Sequence, residues 1–590
     1  MIYSSIRHDY KNEMQSVIDL NTLEITLEAA RDDISRVVLI YGPRYSDNKD
    51  ANNKIEMNLK YRSKYHDIFS VRLNLDDTRL RYLFYLEDNG GDRVWYNEKG
   101  FFKTRPQGYD SGYFQKAIIN KSDVKKSPEW AQDAVIYQIF PDRFFRADSN
   151  NYKNREWNQL PKKDSIYGGD LKGIIKKLDY LKELGINTLY LTPIFKSPSN
   201  HKYNIDDYYQ IDPNFGSIED AKELSKAAKE KGIKLIIDAV FNHSGSNFFA
   251  FEDLLTKGEK SKYMNWYFPE NFPISKEEVN YSTFANDIQD MPRLNLDNPE
   301  TQEYFLKVAE YWTAELDLDG WRLDVADEVS REFWEKFRKR VRKINNDIFI
   351  IGEVWYRASN WLDGNTFDSV MNYDLQRDIF SLIIEENMDV DQFSSQIQEN
   401  FRHYHPEKPN ILVNLLDSHD TARFNWELRN YNKKIIDQKM KFAISLQFLL
   451  PGIPLVYYGS EVGLTGADDP DCRRTMIWDK NRQNRDLYNY YKKIISYYNQ
   501  NRDLRKGDYK ELFMDPLNKI LIFSRKNKKS NENSTVVIIN MSDKKQNIND
   551  KNIIELLKNK NLSFSINNNN NNSFNNNCLK IDKKQILIYS

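Results

Sequence analysis

Four acidic positions and their neighbours hold the chemistry of this sequence. Asp238, Asn242 and His243 lie in DAVFNH (238–243), and Arg322 and Asp324 in GWRLDV (320–325). Glu353 lies in FIIGEVW (349–355), and His419 and Asp420 close LLDSHD (415–420). Arg322 and Asp324 are two apart in an apolar run, so on a strand they share a face. The adjacent cation favours the ionised carboxylate. A single acid at a strand end serves as readily as a helix cap or half of a structural salt bridge. Four strand ends delivering such groups to one rim is harder to explain that way. Cleaving a glycosidic bond needs one carboxylic acid to protonate the leaving oxygen, and a second carboxylate to attack or to activate water. On this reading Asp324 suits the nucleophile. Glu353 is the acid/base and must hold its proton at working pH. Asp420 and His419 are placed to hydrogen-bond sugar hydroxyls. Spacing alone does not separate nucleophile from third carboxylate.

The elements that must position these groups are legible as apolar runs. AVIYQIF (134–140), NTLYLTPIF (187–195), KLIIDAVFN (234–242), GWRLDV, FIIGEVW, SVMNY (369–373), ILVNLLD (411–417) and IPLVYYG (453–459) read as strands. Helical stretches lie between most of them. DLKGIIKKLDYLKELGI (170–186) places Leu171, Ile174, Ile175, Leu178, Leu181 and Leu184 at helical spacing, with Gly185 as stop. Eight alternating units predict a central (β/α)8 TIM barrel, whose active site falls at the C-terminal strand ends. An open doubly wound sheet is the runner-up, but no Gly-rich phosphate loop follows a strand.

The segment from about 243 to 316 is too long for a simple loop. It is rich in aromatics and reads as an inserted subdomain, about 243–300, beside the barrel mouth. Residues 1–125 show evenly spaced strands, TLEITLEA (22–29), RVVLIY (36–41), FSVRLNL (69–75) and LRYLFYL (80–86), and predict an N-terminal β-sandwich. The catalytic barrel is expected over 126–505. Strands return in KILIFSR (519–525), TVVIINMS (535–542) and QILIYS (585–590), predicting a C-terminal β-sandwich over 506–590. The Asn-rich stretch 566–577 reads as a low-complexity loop.

The chain has 590 residues, enough for several domains. Its 86 basic and 87 acidic residues nearly balance, which favours neither nucleic acid nor a membrane surface as partner. Two cysteines exclude a disulfide framework. The opening residues lack the apolar run of a signal peptide, and no stretch approaches the roughly 18 apolar residues of a membrane span. A cytoplasmic location is the expectation. Aromatics make up 14% of the chain. Most such side chains pack in cores, and some stack on sugar faces.

DAVFNH, GWRLDVADE (320–328), GEVW (352–355) and LLDSHD resemble the four signature regions of the α-amylase family of glycoside hydrolases, in order. The resemblance implies Asp324 as nucleophile, Glu353 as acid/base and Asp420 as transition-state stabiliser. It maps Arg322, His243 and His419 to the first glucose subsite, with Tyr203 of HKYNIDDY (201–208) as the stacking aromatic. MPRLN (291–295) is similar to a segment of the neopullulanase, cyclomaltodextrinase and maltogenic amylase subgroup. The N-terminal domain resembles the starch-binding-type module of those enzymes. This implies retaining hydrolysis of α-1,4-glucosidic bonds in cyclodextrins, maltooligosaccharides and pullulan, with some starch cleavage and transglycosylation. It also implies a homodimer in which the N-terminal module of one chain walls the active site of the other. Phe284, Glu328 and Trp355 are the acceptor-side candidates.

Two departures from the subgroup stand out. Asp327-Glu328 replaces its usual Asn-Glu. Its calcium stretch, Asn-x-Asp-x-x-Asn-Asp with a later Gly-Gly-Asp, reads here as Arg146, Ala147, Asp148, Ser149, Asn150, Asn151, Tyr152, then Gly168, Gly169 and Asp170. Asp148, Asn151, Gly168 and Asp170 are the metal candidates that resemblance leaves. Calcium wants six to eight oxygens, and an arginine opposes it. The expectation is that no cofactor is required and that calcium is weak or absent. The rival readings are an oligo-1,6-glucosidase-type enzyme, a non-catalytic carbohydrate-binding protein, and a metal-dependent hydrolase using His243 and His419. The first is disfavoured by MPRLN, the second by three intact carboxylates. The third is disfavoured because such sites gather more histidines.

Overall fold

The computed structural model describes all residues except 11–12, 46–50, 109–110, 148–155, 286–287, 528–533, 567–573 and 576–577. Eight strands form its centre: β1 (Ile136–Ile139), β2 (Thr188–Leu191), β3 (Lys234–Ala239), β4 (Gly320–Leu323), β5 (Phe349–Gly352), β6 (Ser369–Val370), β7 (Val413–Asn414) and β8 (Ile453–Tyr457). They pair in parallel in the order β6-β5-β4-β3-β2-β1-β8-β7. A parallel bridge between Met371 and Val413 closes the ring. These are the eight apolar runs expected, and the sheet is the expected closed barrel.

Helices wrap the outside: Leu171–Leu184, Ile218–Glu230, Pro299–Glu315, Arg331–Ile344, Tyr373–Ile383, Val390–Arg402, Lys433–Leu449 and Arg485–Gln500. The first shows why they form where they do. Asp170 caps it by accepting from the Gly173 amide, its apolar stripe is buried, and Gly185 ends it at φ 97°. Between β5 and β6 the helix Arg331–Ile344 has no counterpart, and a 3-10 turn, Ser359–Trp361, stands there instead.

Strand alternation decides what faces the barrel axis. Ile136, Tyr190, Ile236, Ile351, Val413 and Leu455 belong to one buried cluster inside the ring. The residues two further along β1, β3 and β5 are Gln138, Asp238 and Glu353. Register sets Asp238 opposite Arg322, and Arg322 opposite Ile351. Gly320 opens β4 because a Cβ there would stand 2.7 Å from the Phe349 carbonyl oxygen and 2.9 Å from Ile236 Cγ1.

The long segment after β3 divides in two. Pro299–Glu315 is the barrel's own helix, capped by Asn298. The excursion before it carries the helix Phe249–Lys257, and bridges pair Pro269 with Tyr281, Thr283 with Pro292 and His243 with Arg293. Its aromatic residues Phe251, Tyr267 and Tyr281 pack on one another, with ring centroids 4.8–5.0 Å apart.

The N-terminal sandwich packs a four-stranded sheet against a six-stranded one, with Leu23, Leu27, Val37, Leu39, Phe84 and Leu86 in the shared core. It docks on the helix Val390–Arg402. The Arg62 amide donates to Gln398 Oε1 at 2.9 Å, and Arg402 pairs with Glu28. The C-terminal part holds a five-stranded sheet and a three-stranded one, with the short helix Lys551–Leu557 between strands. The Asn-rich stretch lies almost wholly outside the described residues.

Candidate active site

The barrel mouth is organised around one guanidinium. Arg322 Nη1 donates to both oxygens of Asp238, at 3.0 and 3.1 Å, and to Asp324 Oδ1 at 2.9 Å. Its Nη2 pairs with Glu353 Oε1 at 2.6 Å. All four side chains are buried. The expected neighbours on β3, β4 and the end of β5 thus meet at a single cation.

Each carboxylate has further partners that fix its orientation. Asp238 Oδ2 accepts from the hydroxyls of Tyr190 and Tyr203 at 2.7 and 2.9 Å. Glu353 Oε2 accepts the Val325 amide at 3.0 Å. Val325 stands at φ +44°, a left-handed conformation that a β-branched residue rarely adopts. The turn that aims its amide at Glu353 is therefore strained.

Burial raises the pKa of both Asp324 and Glu353. The Glu353 carboxylate pushes Asp324 up further, and Asp420 does the same to Glu353, while Arg322 opposes in each case. A buried pair of this kind titrates as a unit and readily keeps one proton between its members.

His419 and Asp420 lie on the loop beyond β7 rather than at its end, because β7 is only two residues long. Arg473 holds that loop: its Nε donates to the His419 carbonyl at 2.7 Å and its Nη2 to Asp420 Oδ1 at 3.2 Å. Asp420 Oδ2 is 3.1 Å from His419 Nε2. The Tyr203 hydroxyl meets the same Nε2 at 2.5 Å, with the two rings nearly coplanar. His243 is buried, which lowers its pKa to about 4 against the opposing pull of the Tyr203 backbone. A neutral imidazole can both donate to and accept from ligand hydroxyls.

The acceptor-side candidates are brought to the same rim. Phe284 packs on His243 with ring centroids 5.0 Å apart. Trp355 stacks on Tyr373 at 3.9 Å and 7°, and it is 44% exposed. Glu328 is exposed and contacts Asn242 Nδ2 at 3.4 Å. Sequence reasoning had no place for Tyr190, Gln138, Tyr373 or Arg473. Strand parity with the site residues was an available signal for the first two.

Of the metal candidates, the structure describes Gly168 and Asp170. Asp148 and Asn151 lie outside the described residues. Asp170 spends its oxygens on the Gly173 amide at 2.6 Å and the Ala147 amide at 3.2 Å. Arg146 Nε donates to the Tyr167 carbonyl at 2.9 Å, next to Gly168, and Lys176 Nζ to the Ala147 carbonyl at 2.9 Å. Two fixed cations and a spent carboxylate do not fit calcium. Among the described residues no group of three or more His, Cys, Asp or Glu could hold a metal ion, and no helix is long and apolar enough to cross a membrane.

A barrel with three buried carboxyls on one arginine at its C-terminal mouth suits a glycoside hydrolase, and comparison with known proteins shows that family. Residues 138–507 match the α-amylase catalytic domain, and residues 1–120 the α-amylase N-terminal Ig-like domain. The cyclomaltodextrinase of Thermoanaerobacter pseudethanolicus is 42% identical over 92% of this chain and 94% of its own. Neopullulanase 2 of Thermoactinomyces vulgaris is 40% identical over 89% of each. A solved cyclomaltodextrinase superposes with a TM-score of 0.90 at 33% identity over the whole of both chains. The chain belongs to the α-amylase family of glycoside hydrolases.

Arg322→Met tests the electrostatic frame. It leaves three buried carboxyls without their common cation, and stability is expected to fall by about 3–5 kcal/mol. The folded-state pKa values of these acids then lie far above the unfolded values near about 4. Stability is therefore lost as pH rises from about 4 through the raised values. Denaturant melts of wild type and variant at pH 5 and pH 8 measure this. A deficit larger at pH 8 is expected, and one that does not change with pH contradicts the frame.

Proposed function

We propose that this chain is a retaining α-glycosidase that hydrolyses α-1,4-glucosidic bonds in cyclodextrins, short maltooligosaccharides and pullulan, with some transglycosylation. The observation that carries this is the attachment of Asp324 and Glu353 to the two arms of Arg322. Carboxyls bridged by one guanidinium fit the short separation of retaining enzymes, about 5–5.5 Å, better than the wider gap that admits a water between them.

Each group then has a role. Asp324 attacks the anomeric carbon as Glu353 protonates the glycosidic oxygen. The C–O bond breaks, the shortened glucan leaves with the proton, and the sugar remains as an ester of Asp324. Glu353, now a carboxylate, takes a proton from water. The resulting hydroxide displaces Asp324 at the same carbon and restores both groups. A sugar hydroxyl in place of water gives transglycosylation. Asp420, His419 and His243 hydrogen-bond sugar hydroxyls, and these bonds tighten as the ring flattens. Tyr203 offers its ring face to the first sugar. Trp355, Phe284 and Glu328 serve the acceptor side.

The narrow preference draws on the relatives named for cyclodextrins and on the dimer hypothesis. The N-terminal domain docks on the outer helix Val390–Arg402 of its own barrel. In a homodimer it would be placed to wall the partner's site. One relative, of Bacillus subtilis, is named an intracellular maltogenic amylase, which supports a cytoplasmic location for this chain too. No calcium requirement is proposed, because Arg146 and Lys176 bring positive charge to the expected stretch.

Parallel assays on β-cyclodextrin, pullulan and soluble starch test the reading. Cyclodextrin is expected to be cut fastest, and Asp324→Asn to lower every rate by about 10³-fold or more. Fast starch cleavage with little on cyclodextrin would sink the narrow site. Activity confined to α-1,6 bonds would favour the isomaltose-type rival. The melting temperature is expected to be the same in calcium and in chelator, and a drop of several degrees in chelator would overturn the metal-free reading. Sedimentation at micromolar concentration is expected to give a dimer, and a monomer alone would remove the shared wall.

A further inference from the structure

Gln138 is the second residue after Ile136 on β1 and faces the barrel axis. It is buried, and its Nε2 lies 2.9 Å from His419 Nδ1. It has no place in the chemistry above. Its position relative to His419 nevertheless decides which nitrogen of that ring carries a proton.

With Asp238 and Asp420 ionised, which burial delays to about pH 6 for Asp238, the neighbours of His419 leave one consistent assignment. Nε2 faces the Asp420 carboxylate at 3.1 Å and the Tyr203 hydroxyl at 2.5 Å. Tyr203 has a single proton, and Asp238 Oδ2 at 2.9 Å accepts it. Asp238 has none to give while it takes two hydrogen bonds from Arg322. The Tyr203 oxygen is thus an acceptor toward His419, as is Asp420. Nε2 must carry hydrogen, because a lone pair there would oppose two acceptors. Burial and the nearby Arg473 and Arg322 lower the pKa of His419, so the ring is neutral and Nδ1 is bare. A bare Nδ1 needs a donor, and the amide nitrogen of Gln138 supplies it. The reverse orientation of the amide would put an oxygen against that lone pair.

We propose that Gln138 is a positioning residue that fixes His419 as the Nε2–H tautomer. Its place heads a chain running Gln138, His419, Tyr203, Asp238, Arg322. The chain connects the wall of β1 to the guanidinium that holds Asp324 and Glu353. The tautomer matters for sugar binding because Nε2–H is shared between Asp420 and Tyr203 and keeps both in place beside the first subsite. This last step rests on the function proposed above, and the tautomer itself does not.

Two variants and one spectrum test it. Gln138→Met keeps the volume and removes the donor. Gln138→Glu is nearly isosteric and puts an acceptor at Nδ1, drawing a proton there. The groups that face His419 are Asp420 on its own loop, Tyr203 and His201 from the loop after β2, Arg322 on β4, and Arg473 and Cys472 from the loop after β8. All are unchanged in both variants. In Gln138→Glu the ring keeps its Nε2–H only while it is doubly protonated. As pH rises and the ring of the variant loses one proton, the introduced carboxylate holds the other at Nδ1.

The 15N spectrum of histidine-labelled protein, with His419 assigned by its loss in His419→Gln, is expected to show the Nε2–H form in wild type. Gln138→Met is expected to lower kcat on β-cyclodextrin by about tenfold to a hundredfold, the scale of other outer-shell partners, with KM within about threefold. In Gln138→Glu the alkaline limb of kcat is expected to move to lower pH. An Nδ1–H form in wild type overturns the proposal, as does a kcat and pH profile unchanged in both variants. A wild-type protein that cleaves no α-1,4-glucoside sinks the function reading alone. In that case the spectrum still decides the tautomer.

Discussion

The arrangement depends on one buried cation serving three carboxylates. Removing a guanidinium from water costs several kcal/mol, and only close pairing and hydrogen bonding offset it. Arg322 meets that requirement through Asp238, Asp324 and Glu353. The carboxylates outnumber the cation, and Asp420 adds a fourth, so the mouth is acidic even with Arg473 counted. Such an excess is unfavourable in an empty pocket and favourable when positive charge develops on a sugar ring. The strain at the centre of the fold and the chemistry it would support have the same origin.

Everything around the guanidinium fixes its geometry rather than strengthening it. Gly320 lets the base of β4 sit close against Phe349 and Ile236, where a Cβ would collide. The end of β4 bends through Val325, whose amide turns to Glu353, while Ala326 donates to the Glu353 carbonyl at 3.1 Å. Trp334 of the helix Arg331–Ile344 holds the Ala326 carbonyl through its Nε1 at 2.8 Å. A side chain on the outer layer thereby secures the turn on which Glu353 rests. Strained backbone persists where its surroundings over-determine it, and here the surroundings can be named.

The barrel was legible because its signal is local. Each strand is a short apolar run, each helix a 3.6-residue stripe, and the four acidic motifs stand at or just beyond strand ends. What binds the site together is not local. Gln138 and His419 are 281 residues apart, and Tyr203 and His419 are 216 apart. Only closure of the ring brings β1 beside β8 and the β7 loop over both. Arg473 looked like any charged loop residue until the turn after β8 placed it under Asp420. The two-residue β7 shows the other limit. ILVNLLD reads as a seven-residue strand, yet pairing ends after Asn414, and the chain leaves the sheet to carry His419 and Asp420 inward.

The aromatic richness of the insertion illustrates how composition and position part company. Phe248 packs on Tyr208 and Phe305, and Tyr267 and Tyr281 both pack on Phe251, all four being buried. Phe284 escapes that core because of the backbone beneath it. Its amide donates to the Met291 carbonyl at 2.9 Å, Arg293 donates to the Ser282 carbonyl at 2.9 Å, and His243 bridges Arg293. The MPRLN segment therefore pins the tip of the insertion to the end of β3, and Phe284 lands on His243 as a result. The motif that singles out a subgroup is, in physical terms, the brace that sets one wall of the mouth. Trp355 reaches the opposite side by another route, lying flat on Tyr373 with nearly half its surface open. Two aromatic side chains near the mouth are thus held by unrelated parts of the chain, one by the insertion and one by the helix that Tyr373 begins.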